Sequence, residues 1–450
     1  MYNKLRKFSY LVLGGVLLLT LCITQPSSAM VFTNTTRLAG VGGEVYGMSN
    51  DGRYYVLQST NYTLAPNGVP GQNNVYLYDN LQHIYLRVSS PLGGAQPNGA
   101  SSKPSISADG RYIAFQSVAS NLVTGDTNNV ADVFLYDRQS GQLTLESRSS
   151  AGALGNKISQ DCQMSADGQY IVFTSKATNF DSRVPSYNDN HEVYIRSLVG
   201  RGTMLVSVSA TSSVGNGYSN SPRFSNDNEY VVYTSNSFNL VSASFAANNL
   251  PTGAYNVFRY STRRGTTELV TRPLGGGPTS PAGGTGGAIS GDGNYVTFIS
   301  ASNELVSGVS ANGNLQVYGR DMTTGVTELI TKSWQGYDMG NSGGGYSVVD
   351  STGRYIAYTS AATNLIENDI YHSIDAIAYR VFMYDRVTGM TKMASMPFDG
   401  LTPTNPFMTY SDSPPVMRRS GGQVAFATYL RLVPDDDSNS YEVHTLEFGE

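Results

Sequence analysis

The chain has 450 residues, of which 40% are hydrophobic and 14% charged, and its formal net charge at pH 7 is −5. This length supplies a large core, and the weak acidic balance without any basic run excludes an ordinary nucleic-acid-binding surface. The 48 glycines and 31 tyrosines favour short strands joined by tight turns over helices.

The N-terminus has the pattern of a targeting segment. Lys4, Arg6 and Lys7 precede an apolar stretch at 8–23, and small residues follow at 27–29. This order predicts a signal peptide over 1–29, with export to the periplasm or the cell exterior. The alternative is an uncleaved anchor, which would be the chain's one membrane contact.

One phrase recurs along the rest of the chain at intervals of about 60 residues. Its clearest copy is SADGRYIAFQS at 107–117. The other copies begin at 49, 165, 225, 290, 350 and, in decayed form, 418. Seven copies indicate a repeat protein, in which each repeat is one supersecondary unit.

Each repeat predicts four short strands. The first alternates polar and apolar residues and ends at an Asp-Gly hairpin turn such as Asp109-Gly110. The second, such as 112–115, is apolar throughout, which indicates burial on both faces. A third strand such as 133–136 and a fourth such as 143–145 follow. Four-stranded meanders repeated radially make a β-propeller.

We therefore predict an all-β fold, a seven-bladed β-propeller of four-stranded antiparallel blades, forming one domain over 30–450. The last repeat lacks a fourth strand, and an orphan strand lies near 31–39. The N-terminal strand is expected to complete blade seven, which would hide both blade edges. The predicted blades are 45–90, 103–149, 161–209, 221–271, 286–331, 346–395, and 414–448 with 31–39.

The Asp-Gly-Arg-Tyr phrase, with the Val-Phe-Leu-Tyr-Asp strand at 133–137, resembles the TolB-type, WD-repeat-like propeller repeats of bacterial envelope and secreted proteins. The resemblance covers essentially the whole chain after the targeting segment and implies the blade architecture rather than any chemistry. TolB itself resembles a six-bladed propeller behind an α/β domain. Seven repeats depart from that pattern, so the resemblance does not imply TolB's envelope role.

Function is expected on the face that carries the long loops, because irregular loops on a rigid scaffold are the usual place for binding. The chain's one tryptophan, Trp334, lies in such a loop beside Tyr337 and Asp338, and Tyr346 follows. Aromatic residues beside an acid suit sugar stacking or a protein anchor, so these four residues are the predicted ligand-binding site. The alternative is that Trp334 only packs its loop.

One metal site is a candidate. Asp126, Asn128 and Asp132 place oxygen donors at alternating positions, as calcium loops do, so calcium is the possible cofactor. Related patterns occur at 188–192 and 435–442. The alternative is that these residues cap the turn that enters the third strand.

Three catalytic patterns are weaker. The segment Gly340-Asn341-Ser342-Gly343-Gly344 matches the sequence pattern of a serine-hydrolase nucleophile elbow, but it lies between predicted blades with no helix after it. The four histidines fall on four different blades, which gives a zinc or manganese cluster little support. The carboxylates Asp338, Asp350, Asp369 and Asp375 are candidates for glycoside chemistry if they pair at the channel mouth.

The sequence therefore favours an exported, monomeric binding module rather than an enzyme. Its partner would be an envelope or extracellular protein, or a glycan, held on the long-loop face. An enzyme acting on polysaccharide or peptidoglycan is the first alternative, and a structural surface protein is the second.

Overall fold

The computed structural model describes residues 30–38, 43–66, 68–91, 93–209, 211–242, 253–274, 283–308, 313–336, 338–367, 369, 379–396, 413–428, 432–433 and 442–449. The predicted signal peptide, 1–29, lies outside the described residues. Within them, seven four-stranded antiparallel sheets form, and the one helical element is a short 3₁₀ turn at Tyr62–Leu64. The described part of the chain holds no helix long and apolar enough to cross a bilayer.

Each sheet is one blade, and its innermost strand lines the central channel. The innermost strands are β2 (Glu44–Met48), β6 (Ser101–Ile106), β10 (Ser159–Met164), β14 (Ser219–Phe224), β18 (Thr285–Ile289), β22 (Gly344–Val349) and β26 (Val416–Met417). The second strands are β3 (Tyr54–Ser59), β7 (Tyr112–Ser117), β11 (Tyr170–Ser175), β15 (Tyr230–Ser235), β19 (Tyr295–Ser300), β23 (Tyr355–Ser360) and β27 (Gln423–Thr428).

The two outer strands of each blade continue the meander. The third strands are β4 (Asn74–Asp79), β8 (Asp132–Asp137), β12 (Glu192–Ser197), β16 (Asn256–Ser261), β20 (Gln316–Asp321), β24 (Arg380–Asp385) and β28 (Glu442–Gly449). The fourth strands of blades one to six are β5 (Ile84–Arg87), β9 (Gln142–Leu145), β13 (Thr203–Leu205), β17 (Thr266–Leu269), β21 (Thr327–Leu329) and β25 (Met390–Met393).

Blade seven is closed by the N-terminal strand, as predicted. β1 (Val31–Leu38) pairs antiparallel with β28 from Val31 opposite Gly449 to Leu38 opposite Val443. Blade seven also packs against blade one, because β26 and β27 both contact β2. The ring is therefore joined through hydrogen bonds between the two ends of the chain. The predicted seven-bladed propeller is confirmed.

A stacked aromatic pair joins the second and third strands in blades two to six. The rings of Phe115 and Phe134 in blade two lie 5.7 Å apart and nearly parallel. The equivalent pairs are Phe173–Tyr194, Tyr233–Phe258, Phe298–Tyr318 and Tyr358–Phe382. All are buried, and each adds about 0.5–1.5 kcal/mol beyond the burial of apolar area. His444 of blade seven lies opposite Phe426 in the same position and is fully buried.

The recurring Ser-x-Asp-Gly phrase is explained by its hydrogen bonds. In blade two the Ser107 hydroxyl donates to Asp109 Oδ1 at 2.6 Å, and Asp109 Oδ1 also accepts the backbone N–H of Arg111 at 2.9 Å. Gly110 follows with φ of 70°, in the left-handed region that favours glycine. The phrase therefore encodes the hairpin turn between the first and second strands.

The tyrosine of the same phrase joins neighbouring blades. A Cβ atom on Gly110 would lie 2.6 Å from the ring of Tyr54, which belongs to blade one. Gly168 of blade three has the same relation to Tyr112 of blade two, also at 2.6 Å. Gly293 and Gly353 have the same relation to Tyr230 and Tyr295 of the preceding blades, so at these four turns a tyrosine packs on the next blade's glycine. Blade four instead carries Asn228 at this position, also in the left-handed region, with φ of 60°.

The arginine of the phrase pairs with the aspartate that ends the third strand. Arg111 donates two hydrogen bonds to Asp137, both of 2.9 Å. Arg53–Asp79 and Arg354–Asp385 repeat this bidentate pair in blades one and six. The pKa of Asp137 is lowered to about 2, mainly by the hydrogen bonds from the Arg111 guanidinium.

This pair gives a pH prediction. Because the folded-state pKa of Asp137 lies below the ordinary value of about 3.9, its stabilisation is present above about pH 4 and is lost as pH falls from 4 towards 2. Arg111→Gln is a conservative test, since Gln169 occupies the same position in blade three. Urea unfolding should show a difference between the two proteins that is constant near neutral pH and shrinks below pH 4. A difference that persists unchanged to pH 2 would exclude this role for the pair.

Candidate binding channel

The innermost strands are irregular at one shared height. Within the described residues, β2, β6, β10, β14, β18 and β22 each carry a bulge against the second strand of their blade. In four blades the bulge places Lys103, Asp161, Ser221 or Gly286 in the left-handed region, with φ between 50° and 67°. A left-handed non-glycine residue costs about 1 kcal/mol or more, so such strain is informative when it is repeated.

The bulge is held by the preceding blade. Gln58 Oε1 of blade one accepts the backbone N–H of Lys103 at 3.2 Å, and Gln116 Oε1 of blade two accepts that of Asp161 at 2.8 Å. Thr234 Oγ1 of blade four accepts the N–H of Gly286 at 3.2 Å. These bonds satisfy N–H groups that the bulge removes from the ladder, and they fix the side chains at this height of the channel.

Charged side chains from three adjacent blades lie on the innermost strands at or near these bulges. Lys103 Nζ of blade two forms an ion pair with Asp161 of blade three. Arg223 of blade four is accessible to water, yet its guanidinium has protein around it, which lowers its pKa despite the opposing charge of Asp161. This combination of access and enclosure is expected inside a water-filled channel.

Two tyrosines lie on the other side of the ring. Tyr46 of blade one donates a 2.9 Å hydrogen bond to Glu44. Burial raises the pKa of Tyr46, with further contributions from Glu44 and then from Tyr346 of blade six. Tyr46 and Tyr346 stand at the bulges of the innermost strands β2 and β22. Tyr346 is 66% exposed.

Arg419 lies across the channel at the end that carries the Asp-Gly turns. It belongs to blade seven, but its Nη2 donates to Met164 O of blade three at 2.8 Å. Its Nη1 donates to Asn226 Oδ1 of blade four at 3.4 Å. Burial, followed by repulsion from Arg223, lowers the pKa of Arg419 to about 10, so the guanidinium stays charged at neutral pH.

Backbone hydrogen bonds between successive turns narrow the same end. Asn50 N donates to Ala108 O at 2.8 Å, and Ala108 N donates to Ala166 O at 2.9 Å. On the far side, Gly291 N donates to Ser351 O and Ser351 N to Arg419 O, both at 3.0 Å. Ala108, Ala166, Gly291 and Ser351 are small, which allows these turns to converge. These contacts between turns narrow the channel at the turn end.

The channel has the chemistry of a polar binding site. Its named residues hold three cations (Lys103, Arg223 and Arg419) and two carboxylates (Glu44 and Asp161), so cations are in excess in a protein whose net charge is −5. Cations in a narrow, partly desolvated channel attract anionic ligands more strongly than the same charges on an open surface.

The predicted ligand-binding residues lie in two elements. Trp334 and Asp338 belong to the loop between Lys332 and Met339, which are joined by an isolated bridge. Trp334 is 51% exposed, and Asp338 N donates to Ser333 Oγ at 3.3 Å. Tyr346 lies apart from them, at the bulge of the innermost strand β22. Tyr337 lies outside the described residues, so the grouping of these four residues stays a prediction.

The predicted calcium ligands are brought together. Asp126 and Asn128 lie in the loop that enters β8, and Asp132 is the first residue of β8 and fully buried. In blade three the related Asn188 donates to Glu192 Oε1 at 3.0 Å, which supports the turn-capping alternative for that blade. The acidic residues at 435–437 of blade seven lie outside the described part of the chain.

Among the described residues, the structure does not bring the residues of the weaker catalytic patterns together. His191 and His444 are buried in different blades, and burial lowers the pKa of His191 to about 4. His83 shares a hydrogen bond with Tyr78, and His372 lies outside the described residues. Among the described residues, no three His, Cys, Asp or Glu side chains form a metal-binding group. The segment at Ser342 enters β22 directly and has no helix after it.

The carboxylates named from the sequence do not form a described pair. Asp350 is 3% exposed and accepts the backbone N–H groups of Arg354 and Tyr355, so it caps the blade-six turn. Asp338 is exposed in its loop, and Asp375 lies outside the described residues.

Sequence reasoning missed Lys103, Asp161, Arg223 and Arg419. The polar alternation of the first strand was visible, and it marks the channel-facing side of each blade. Which of these side chains would meet could not be read, because they come from different blades and the contacts depend on ring closure.

No family model matches the sequence, and no curated protein matches it. Several solved structures are similar to this one. TolB from Acinetobacter baumannii is 14% identical with a TM-score of 0.40, and the match covers 79% of this chain and 63% of that protein. This chain thus spans less than two thirds of that TolB.

Two oligogalacturonate lyases are similar over more of their length. The enzyme from Vibrio parahaemolyticus is 11% identical with a TM-score of 0.51, covering 93% of this chain and 96% of that one. An oligogalacturonate lyase in complex with manganese is also 11% identical with a TM-score of 0.51, covering 94% and 97%. At this identity the likeness shows the fold alone. The similar structures support the propeller architecture alone, and the chain is a seven-bladed β-propeller.

Proposed function

We propose that this protein is a binding module that holds an acidic glycan in its central channel, entered from the long-loop face. The observation that carries the proposal is the group of Lys103, Arg223 and Arg419 inside a channel narrowed at the turn end. Each comes from a different blade, and the bulges and turns fix their heights. An extended oligosaccharide with carboxylates could reach these cations, whereas a large globular partner could not.

The tyrosines support a sugar ligand. Tyr346 offers an exposed ring near the channel, and Tyr46 offers a hydroxyl beside Glu44. Rings of this kind stack on the apolar faces of sugars while hydroxyl and carboxylate groups bond to the sugar hydroxyls. The propellers with similar folds include oligogalacturonate lyases, whose names give an acidic glycan as substrate.

Tyr46 is suited to donate a hydrogen bond to a ligand and unsuited to act as a general base. Burial and the neighbouring carboxylate of Glu44 raise its pKa, so the phenol stays protonated at neutral pH and donates hydrogen bonds rather than accepting protons. A general base needs a pKa near the working pH. An enzyme acting on polysaccharide therefore remains the alternative, and it predicts product formation in the same assay.

Trp334 provides the test. It is the one tryptophan of the chain, half-exposed on the long-loop face, and its fluorescence reports events there. Titration with an oligogalacturonate, a neutral oligosaccharide of the same length and an acidic peptide, followed by fluorescence and by calorimetry, distinguishes the ligand classes. We expect heat and saturation with the acidic sugar, weakening as salt increases. Absence of binding to every acidic oligosaccharide tested would overturn the proposal, and unsaturated product would favour the enzyme.

A protein partner is the second candidate, favoured by the exposure of Trp334 in a loop that the channel does not need. An exposed tryptophan is a typical anchor of protein interfaces. Binding of the acidic peptide but not the sugar, lost in Trp334→Ala, would favour this candidate.

We further propose that the chain acts outside the cytoplasm as a monomer. The order of charged, apolar and small residues at 1–29 supports export. Closure of blade seven by β1 supports a monomer, because it leaves β28 paired on both sides. Secretion of a fusion to 1–29 and light scattering of the mature protein test the two points.

A further inference from the structure

A polar residue begins the third strand of every blade. The seven residues at this position are Asn74, Asp132, Glu192, Asn256, Gln316, Arg380 and Glu442. In blades one to five a hydroxyl from the residue two places after the fourth strand donates to it. In blade two Ser147 Oγ donates to Asp132 Oδ1 at 2.5 Å, and in blade three Ser207 Oγ donates to Glu192 Oε2 at 2.6 Å.

In several other blades the remaining polar atoms at this position also have partners. In blade three the second oxygen of Glu192 accepts from Asn188 Nδ2. In blades one and four the amide groups of Asn74 and Asn256 donate to backbone carbonyls at 2.9 and 3.2 Å. In blade seven Arg37 forms a 3.2 Å ion pair with Glu442.

Blade two departs from this rule. Both carboxylate oxygens of Asp126, Oδ1 of Asn128 and Oδ2 of Asp132 are buried without a hydrogen bond of normal geometry. An unsatisfied buried carboxylate is among the most costly groups a fold can hold, and here two lie together. Their closeness also shows in the pKa of Asp132, which burial raises to about 6 with Asp126 adding in the same direction.

Neighbouring groups aim these oxygens inward. Asn128 Nδ2 donates to Gly155 O at 3.0 Å, which turns its Oδ1 away from that carbonyl. Gly125 and Asn129 are left-handed, with φ of 86° and 55°, so the loop curls around the oxygens. The nearby cation, Arg148, donates instead to Leu145 O and Gly152 O, both at 3.0 Å.

We propose that Asp126, Asn128 and Asp132 bind one calcium ion. Two carboxylates and an amide oxygen are hard donors, they carry charge that one divalent cation balances, and their alternating spacing is that of calcium loops. The ion would tie the β7–β8 loop to the start of β8. This site is separate from the channel cations and does not depend on the proposed function.

The test uses a variant that the repeat itself supplies. Asp132→Asn introduces the residue found at this position in blades one and four, so it is compatible with the fold. Glu192→Gln in blade three is the matched control, because it removes a carboxylate at the same position of a blade whose oxygens are satisfied. Calcium binding to protein stripped with a chelator is measured by calorimetry, and thermal melting is compared with and without the ion.

For wild type and Glu192→Gln we expect one site with a Kd of about 10⁻⁵–10⁻³ M and a higher melting temperature in calcium than in chelator. Asp132→Asn should bind at least about tenfold more weakly and lose the calcium-dependent shift. In chelator, Asp132→Asn should melt at or above the wild-type temperature, because it removes one of two buried, repelling carboxylates. No calcium binding by wild type, or equal calcium shifts in wild type and Asp132→Asn, would overturn the proposal.

Discussion

A chain that begins after β1 is expected to lose cooperative folding. Removing residues 30–38 exposes the full length of β28 as an edge and removes the buried side chains Met30 and Leu38. It also removes Arg37 and with it the ion pair to Glu442, which is 7% exposed. Each large apolar side chain contributes about 1.5–3 kcal/mol, and removing one partner of a buried ion pair costs about 3–5 kcal/mol.

The sum of these losses is comparable with the whole net stability of an ordinary domain, about 5–15 kcal/mol. We therefore expect the truncated chain to aggregate through β28 or to melt far below the full-length protein, as followed by circular dichroism and size-exclusion chromatography. A synthetic peptide of residues 30–38 should restore part of the melting temperature, and a scrambled peptide should not. Melting of the truncated chain at the full-length temperature would show that β1 does not close the ring.

Arg223→Gln and Tyr346→Ala are each expected to weaken binding of the acidic glycan by about 10- to 100-fold, which corresponds to about 1.4–2.7 kcal/mol. Arg223 supplies charge inside the channel, and Tyr346 supplies an exposed ring near it. Calorimetry measures both. The arginine variant should also flatten the salt dependence of the affinity, because one ionic contact is gone, while the tyrosine variant should leave it unchanged.

Two controls match these substitutions. Arg263→Gln removes an arginine whose side chain is 78% exposed in the turn between β16 and β17, on the opposite face. Tyr187→Ala removes a tyrosine that is 86% exposed in the loop before β12. Both should bind as wild type. If the controls weaken binding as much as the channel variants, the ligand does not use the channel.

The fold could be predicted because its causes are local. The Ser-x-Asp-Gly turn needs only residues within one hairpin, and the second strand shows in the sequence as one short continuous apolar run. Even the closure by β1 followed from an orphan strand and an incomplete last repeat. Repetition made these signals readable, since each blade confirmed the others.

The channel could not be predicted in the same way. Arg419 reaches Met164 across a ring, a separation of 255 residues along the chain. Lys103 meets Asp161 only because both stand at the same bulge of adjacent blades. The left-handed bulge has no sequence signature when lysine, aspartate, serine and glycine all occupy it. The calcium pattern was readable, but the unsatisfied oxygens that support it became visible only in the structure.

The most direct test of the account is a crystal structure of the mature protein with a bound acidic oligosaccharide. We expect density for the sugar inside the channel, with carboxylates within hydrogen-bonding distance of Lys103 or Arg223 and a sugar ring against Tyr346. We also expect Arg419 to keep its contacts at the turn end. A ligand bound on the outer strands or the turn face, with the channel free of sugar, would contradict it.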